Sequence, residues 1–105
     1  VHADAARVEL MKEKLSENLN APLSLSELAR AAGLSAFYAA RLFSCAVGMP
    51  PHAWRNQLRL SRAQGLLRQG QSVADVAAAT GFSDQSHFNR HFKRAYGIAP
   101  GRWRP

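Results

Sequence analysis

The chain has 105 residues, 47% of them hydrophobic and 20% charged, which is one compact domain's worth of ordinary globular composition. No run of eighteen apolar residues is present, which excludes a transmembrane helix; a single cysteine excludes an internal disulfide and points to a reducing compartment. Fourteen Lys and Arg against seven Asp and Glu give a net charge of +7 and a pI of about 10.8, so a polyanionic partner is expected, nucleic acid ahead of a membrane surface.

In chain order, Val8, Met11, Leu15 and Leu19 follow the spacing of one helical stripe, and Asn20-Ala21-Pro22 is expected to end that first helix. Ser24 and Glu27 form a capping box that opens a second helix, with Leu25, Leu28, Ala29 and Ala32 inward and Gly33 at its end. Ser35 caps a third helix through about Val47, stopped by Gly48. Pro50-Pro51 opens a long fourth helix to about Gln69, with Gly70 beyond it and Gly65 as a mild weak point inside. Ser72 and Asp75 then open a fifth helix ending at Gly81, and Ser83 is expected to cap a sixth that ends at Gly97. No stretch alternates apolar and polar residues in the manner of a strand. The chain begins at Val1 with no initiator Met and no signal-peptide pattern, so it is expected to be part of a longer protein.

The last two helices repeat the second and third. Leu25, Glu27, Leu28, Ala29, Gly33, Leu34 and Ser35 answer to Val73, Asp75, Val76, Ala77, Gly81, Phe82 and Ser83 at an offset of 48. Past one added residue, Arg41, Phe43, Gly48, Pro51, Trp54 and Arg55 answer to Arg90, Phe92, Gly97, Pro100, Trp103 and Arg104 at an offset of 49. Two copies are too few for a solenoid, so a tandem pair of small modules is the reading. In each copy a short helix, a Gly-containing turn and a second helix with a polar outer face make a helix-turn-helix pattern, whose second helix is of a width that a major groove admits. The charge supports this: from Leu28 onward eleven basic residues, all but Lys93 arginine, face only Asp75 and Asp84. Arginine's fork matches phosphate and the two acceptors of guanine. The competing readings are a basic face kept for solubility and a small helical hairpin without DNA contacts.

LSELARAAGLSAFYAARLFSCAVGMPP, RLSRAQGLLRQG and VADVAAATGFSDQSHFNRHFKRAYGIAPGRWR together resemble the DNA-binding domain of AraC/XylS-family transcriptional regulators, and the likeness runs from about Pro22 to Arg104. The resemblance implies an all-α fold: a homeodomain-like pair of helix-turn-helix subdomains, about 5–49 and 70–105, joined by a long central helix at about 50–69. It implies sequence-specific binding of double-stranded promoter DNA, usually to activate transcription in the bacterial cytoplasm. RNA polymerase is a further expected partner, and an effector-binding or dimerisation domain is expected elsewhere in the parent chain. By position it assigns Ser35, Ala36, Phe37, Tyr38, Ala40 and Arg41 of the first recognition helix to DNA, and Asp84, Gln85, Ser86, His87, Asn89 and Arg90 of the second. Ala40 stands where members of the family place a long polar side chain, and Ala36 contributes little hydrogen bonding, so the first reader is expected to be poorer in hydrogen bonds. Gln85 and Asn89 suit adenine, Arg41 suits guanine, and Arg90 suits guanine or phosphate. Ser86 and His87 look like contacts to the DNA backbone. Asp84 is expected to cap the helix or accept from cytosine.

Other chemistry is weaker. His87 and His91 lie one helical turn apart, but the one acid nearby, Asp84, is expected at the helix cap and no cysteine adjoins them, so no metal or other cofactor is expected. Cys45 reads as a buried or half-buried filler. No phosphate loop, paired carboxylates or nucleophile–base arrangement is present, so an enzyme is not expected. Phe43, Phe82, Phe88, Phe92, Tyr96, Trp54 and Trp103 are expected in the core. The alternative from another class is a helical protein-interaction module whose basic face meets an acidic partner.

Overall fold

A computed structural model describes residues 2–103. They form six helices, α1 (His2–Ser16), α2 (Leu25–Ala31), α3 (Ala36–Val47), α4 (Pro51–Arg68), α5 (Val73–Ala79) and α6 (Gln85–Tyr96), with no strand among the described residues. The chain divides into two compact units, Val1–Asn56 and Gln57–Pro105. The division falls inside α4, so the helix expected as a separate linker gives its first turns to one unit and the rest to the other.

In the first unit, Val8, Met11 and Leu15 of α1 meet Leu28 and Ala29 of α2 and Ala39 and Phe43 of α3 in one buried cluster. Ala29 lets the two short helices approach closely, and Trp54 of α4 sets its edge against Phe43 with ring centroids 5.8 Å apart. The first helix ends earlier than its apolar spacing predicts. Its last turn closes at Ser16; Asn18 then takes a left-handed φ of 36°, and the Ala21 amide bonds the Asn18 carbonyl at 2.9 Å. Leu19 is still buried, brought back by that turn rather than carried on the helix.

The tie that secures this turn is Arg55. Although arginine, it is 3% exposed, and its guanidinium donates to three main-chain carbonyls: Nε to Leu15 at 3.0 Å, Nη2 to Asn18 at 3.1 Å and to Glu17 at 3.4 Å. The final carbonyls of a helix lack partners within it, and here another helix's side chain supplies them. Burial lowers the Arg55 pKa below its ordinary value.

The second unit repeats the plan. Leu60 and Ala63 of α4 pack with Val76 and Ala77 of α5, Phe82 of the turn, and Phe88 and Phe92 of α6. Trp103 meets Phe92 edge-on at 6.1 Å, the counterpart of Trp54 on Phe43. Phe43, Phe88 and Phe92 are fully buried, and truncating such a ring typically costs about 3–5 kcal/mol. Tyr96, Trp54 and Trp103 are half-buried against these clusters, as expected of core aromatics. Arg104, the sequence counterpart of Arg55, lies outside the described residues.

Cys45 corrects its expectation: it is exposed. The buried residues of α3 are Ala39 and Phe43, one turn apart, and two residues beyond Phe43 the helix has rotated by about 200°, to the opposite face.

Candidate nucleic-acid interface

Each unit holds one helix-turn-helix, and local chemistry fixes both turns. The Ser24 hydroxyl accepts from the Glu27 amide at 3.1 Å and donates to the Glu27 carboxylate, opening α2; Ser72 accepts from the Asp75 amide at the same distance, opening α5. Gly33 and Gly81 follow these helices with φ of 71° and 88°, a region that a side chain at Cβ disfavours. The next residue, Leu34 or Phe82, packs into its own unit's core and so sets the angle at which the second helix leaves.

α3 is capped as expected, with the Ser35 hydroxyl accepting from the Tyr38 amide at 3.2 Å. α6 is not. Its cap is Asp84, whose Oδ1 accepts from the His87 amide at 2.7 Å, while Ser83, the expected cap, bonds its hydroxyl to His87 Nδ1 at 3.1 Å. The added residue of the second copy therefore lies ahead of the helix, and Ser35 is matched structurally by Asp84. A carboxylate at that end also opposes the positive pole of the helix.

The structure separates the sequence-assigned residues by exposure. On α3, Phe37 (72% exposed), Tyr38 (44%) and Arg41 face outward. Ala36 packs partly against the core, Ala40 is half-buried, and Ser35 is engaged in its cap. The Arg41 guanidinium lies over the Phe37 ring, 5.7 Å from its centroid. On α6, Gln85, Ser86 and Arg90 are exposed, with Asp84 exposed but committed to the cap. His87 is half-buried, edge-on to His91 at 4.4 Å and to Phe82 at 5.5 Å. Asn89 is half-buried too, and its Oδ1 is buried without a hydrogen-bond partner.

Electrostatics on α6 favour anions. Arg90, Lys93 and Arg94 follow one another round the helix, and the His91 pKa is held below the ordinary imidazole value, first by burial and then by His87, Arg94 and Arg90. Among the described residues no three His, Cys, Asp or Glu side chains converge as a metal site, and no helix is long and apolar enough to cross a membrane.

Sequence reasoning missed several contacts. The guanidinium carbon of Arg59 lies 5.9 Å from the Phe82 ring centroid and that of Arg68 lies 5.4 Å from the Trp103 ring centroid, so part of the positive charge of α4 is braced on the aromatics of the second unit. The Phe37–Arg41 pair had a legible signal, an aromatic and a cation one helical turn apart. Arg55 had none beyond its place beside Trp54 in the repeat.

Comparison with known proteins agrees with this geometry. A family model described as a helix-turn-helix domain matches residues 28–105. The chain is similar to the transcriptional activator NphR of Rhodococcus sp, 42% identical over 103 residues, covering 96% of this chain and 30% of the relative. It is also similar to the HTH-type transcriptional regulator MtrA of Neisseria gonorrhoeae, 37% identical over 82 residues, or 77% of this chain and 27% of the relative. The chain thus spans about a third or less of these relatives' length. Among solved structures it resembles an AraC-type transcriptional regulator from Chromobacterium violaceum, with a TM-score of 0.85 at 28% identity over 96% of this chain and 91% of that one. It also resembles the DNA-binding domain of AdpA, solved in complex with a target DNA, with a TM-score of 0.80 at 30% identity over 90% and 86% of the two chains.

Proposed function

Because the chain belongs to the AraC/XylS family of helix-turn-helix DNA-binding domains, we propose that it reads double-stranded promoter DNA with α3 and α6, each laid in a major groove, and thereby activates transcription as part of a longer bacterial regulator. The observation that carries this reading is the twofold recurrence of one local geometry: a capped short helix, a left-handed glycine, and a second helix with an arginine at the same place on its exposed side, Arg41 and Arg90. Relatives named as a transcriptional activator and as a regulator, and a structural neighbour solved on DNA, support it.

On α3, Arg41 is the guanine reader, while Phe37, Tyr38 and Ala40 supply apolar surface and Ser35 and Ala36 shape the start of the helix. On α6, Gln85 pairs with adenine, Asn89, whose Oδ1 is buried, offers adenine its amide nitrogen alone, Arg90 takes guanine or phosphate, and Ser86 and His87 approach the backbone. Asp84 fixes the helix start rather than contacting a base. The remainder of the parent protein carries the effector-binding or dimerisation domain, and RNA polymerase is the downstream partner, all within the cytoplasm.

Two readers in one chain address half-sites about ten base pairs apart, one turn of the duplex. Selection of duplexes from a random library tests this, followed by insertion of five base pairs between the two recovered half-sites. The insertion turns one half-site to the opposite face, and most of the specific affinity is lost. Equal affinity for every polyanion would leave the basic interaction-module reading in place, and indifference to the insertion would mean that a single helix reads DNA.

A further inference from the structure

The two second helices differ in a way that charge and capping do not explain. Phe37 is the most exposed large hydrophobic side chain among the described residues, and its counterpart on α6, counted from the cap, is Ser86. An apolar ring standing in water contributes nothing to the core of its own unit, which Ala39 and Phe43 fill from the other side of α3. One turn further on, the Arg41 guanidinium rests over that ring at 5.7 Å, and the residues beside the pair, Ala36 and Ala40, bring only methyl groups. The outward side of α3 therefore presents one planar cation braced on one apolar ring, with the Tyr38 phenol as its other exposed hydrogen-bonding side chain.

A major groove offers a matching edge. Guanine shows two acceptors to a guanidinium fork, and the apolar group that the groove displays is the C5 methyl of thymine. Stacking on Phe37 removes part of Arg41's rotational freedom before DNA arrives, so the fork loses less on binding. From this we infer that α3 recognises a thymine methyl neighbouring a guanine, with Phe37 as the specificity-determining residue and also the residue that positions Arg41. The inference rests on the DNA-reading role proposed above and names the base chemistry of its first half-site. It also replaces the picture of α3 as a merely permissive reader: a helix poor in hydrogen bonds selects by a methyl group instead.

Uracil differs from thymine only by that methyl and keeps every hydrogen bond, so it isolates the contact. In the duplex recovered by selection, the half-site belonging to α3 is the one whose base preference changes in Arg41→Ala. Replacing its thymines by uracil one at a time lowers affinity about three- to tenfold at one position, the scale of one apolar group's burial. Phe37→Ala binds the thymine and uracil duplexes alike, and Phe37→Leu, still apolar, keeps part of the discrimination. Phe37 is exposed, so circular dichroism of both variants matches the parent protein. Equal binding of thymine and uracil at every position of that half-site overturns the inference, as does an undiminished uracil penalty in Phe37→Ala. Failure to enrich any sequence defeats the proposed function itself, whereas an enriched site indifferent to uracil defeats only the methyl-reading role.

Discussion

Arg55 gives the most direct measure of how the first unit is held together. Its guanidinium makes two good hydrogen bonds, at 3.0 and 3.1 Å, and a longer one at 3.4 Å, all to carbonyls at and just beyond the end of α1. Hydrogen bonds from a charged group contribute about 1.5–3 kcal/mol each in favourable cases, and a buried carbonyl left unsatisfied costs about 1–3 kcal/mol. The desolvation that lowers the Arg55 pKa opposes part of this gain. Counting the two short bonds fully and the long one little, Arg55→Met, which keeps much of the side chain's bulk, is expected to destabilise by about 3 kcal/mol. Arg55→Lys keeps the charge but has one nitrogen in place of the fork, so it loses about half as much. Urea titration followed by far-ultraviolet circular dichroism measures both. At a domain of this size each kcal/mol moves the melting temperature by about 4–8 °C, so the Met variant melts well over 10 °C lower. A Met variant within about 0.5 kcal/mol of the parent would refute the reasoning, because the carbonyls would then be satisfied equally well without the guanidinium.

Three further outcomes are expected. Asp84→Ala loses about 1 kcal/mol of stability in the same titration and Ser83→Ala much less, since only the first removes the cap of α6; the reverse order would return the cap to Ser83. His91 has a folded-state pKa below its ordinary value, so the unfolded chain binds the proton more readily; stability is complete above the imidazole range and falls as pH drops below about 6.5, and His91→Gln abolishes that part of the pH dependence in thermal melts. The logarithm of DNA affinity falls with the logarithm of salt concentration with a slope of about −4 to −8, at roughly 0.9 per phosphate contact in fluorescence-anisotropy titrations, and a slope near zero would reduce the basic surface to a solubility device.

The helices themselves were legible because their ends are written in residues with local chemistry. Ser24, Ser35 and Ser72 accept from the amides that their positions predict, and Gly33 and Gly81 take the left-handed conformation that the turn requires. Periodicity misled where a turn imitated a helix: Leu19 continues the stripe of α1 in spacing, yet it reaches the core through the reversal at Asn18. Adjacent Ser83 and Asp84 are both good caps, and sequence alone offers no means of choosing between them. Cys45 was misjudged because a small apolar residue says little about which side of a helix it occupies. Of the assigned DNA-facing residues, Phe37, Tyr38, Arg41, Gln85, Ser86 and Arg90 are exposed and not engaged in a cap as Ser35 and Asp84 are, while the half-burial of Ala36, Ala40, His87 and Asn89 depends on packing from other segments. The Arg55 clamp was invisible for the same reason, since its partners lie about forty positions earlier in the chain.

The place of the one extra residue in the second copy has a consequence for how such a module can be altered. An insertion within a helix turns every later side chain by about 100° and would swing Arg90 away from the direction that Arg41 takes in its own unit. Ahead of Asp84 the same residue is absorbed by the turn, and the count from cap to arginine stays equal in α3 and α6. The stretch from cap to left-handed glycine, Ser35–Gly48 or Asp84–Gly97, thus behaves as an exchangeable cassette whose outward residues can be transplanted without re-phasing those that pack inward.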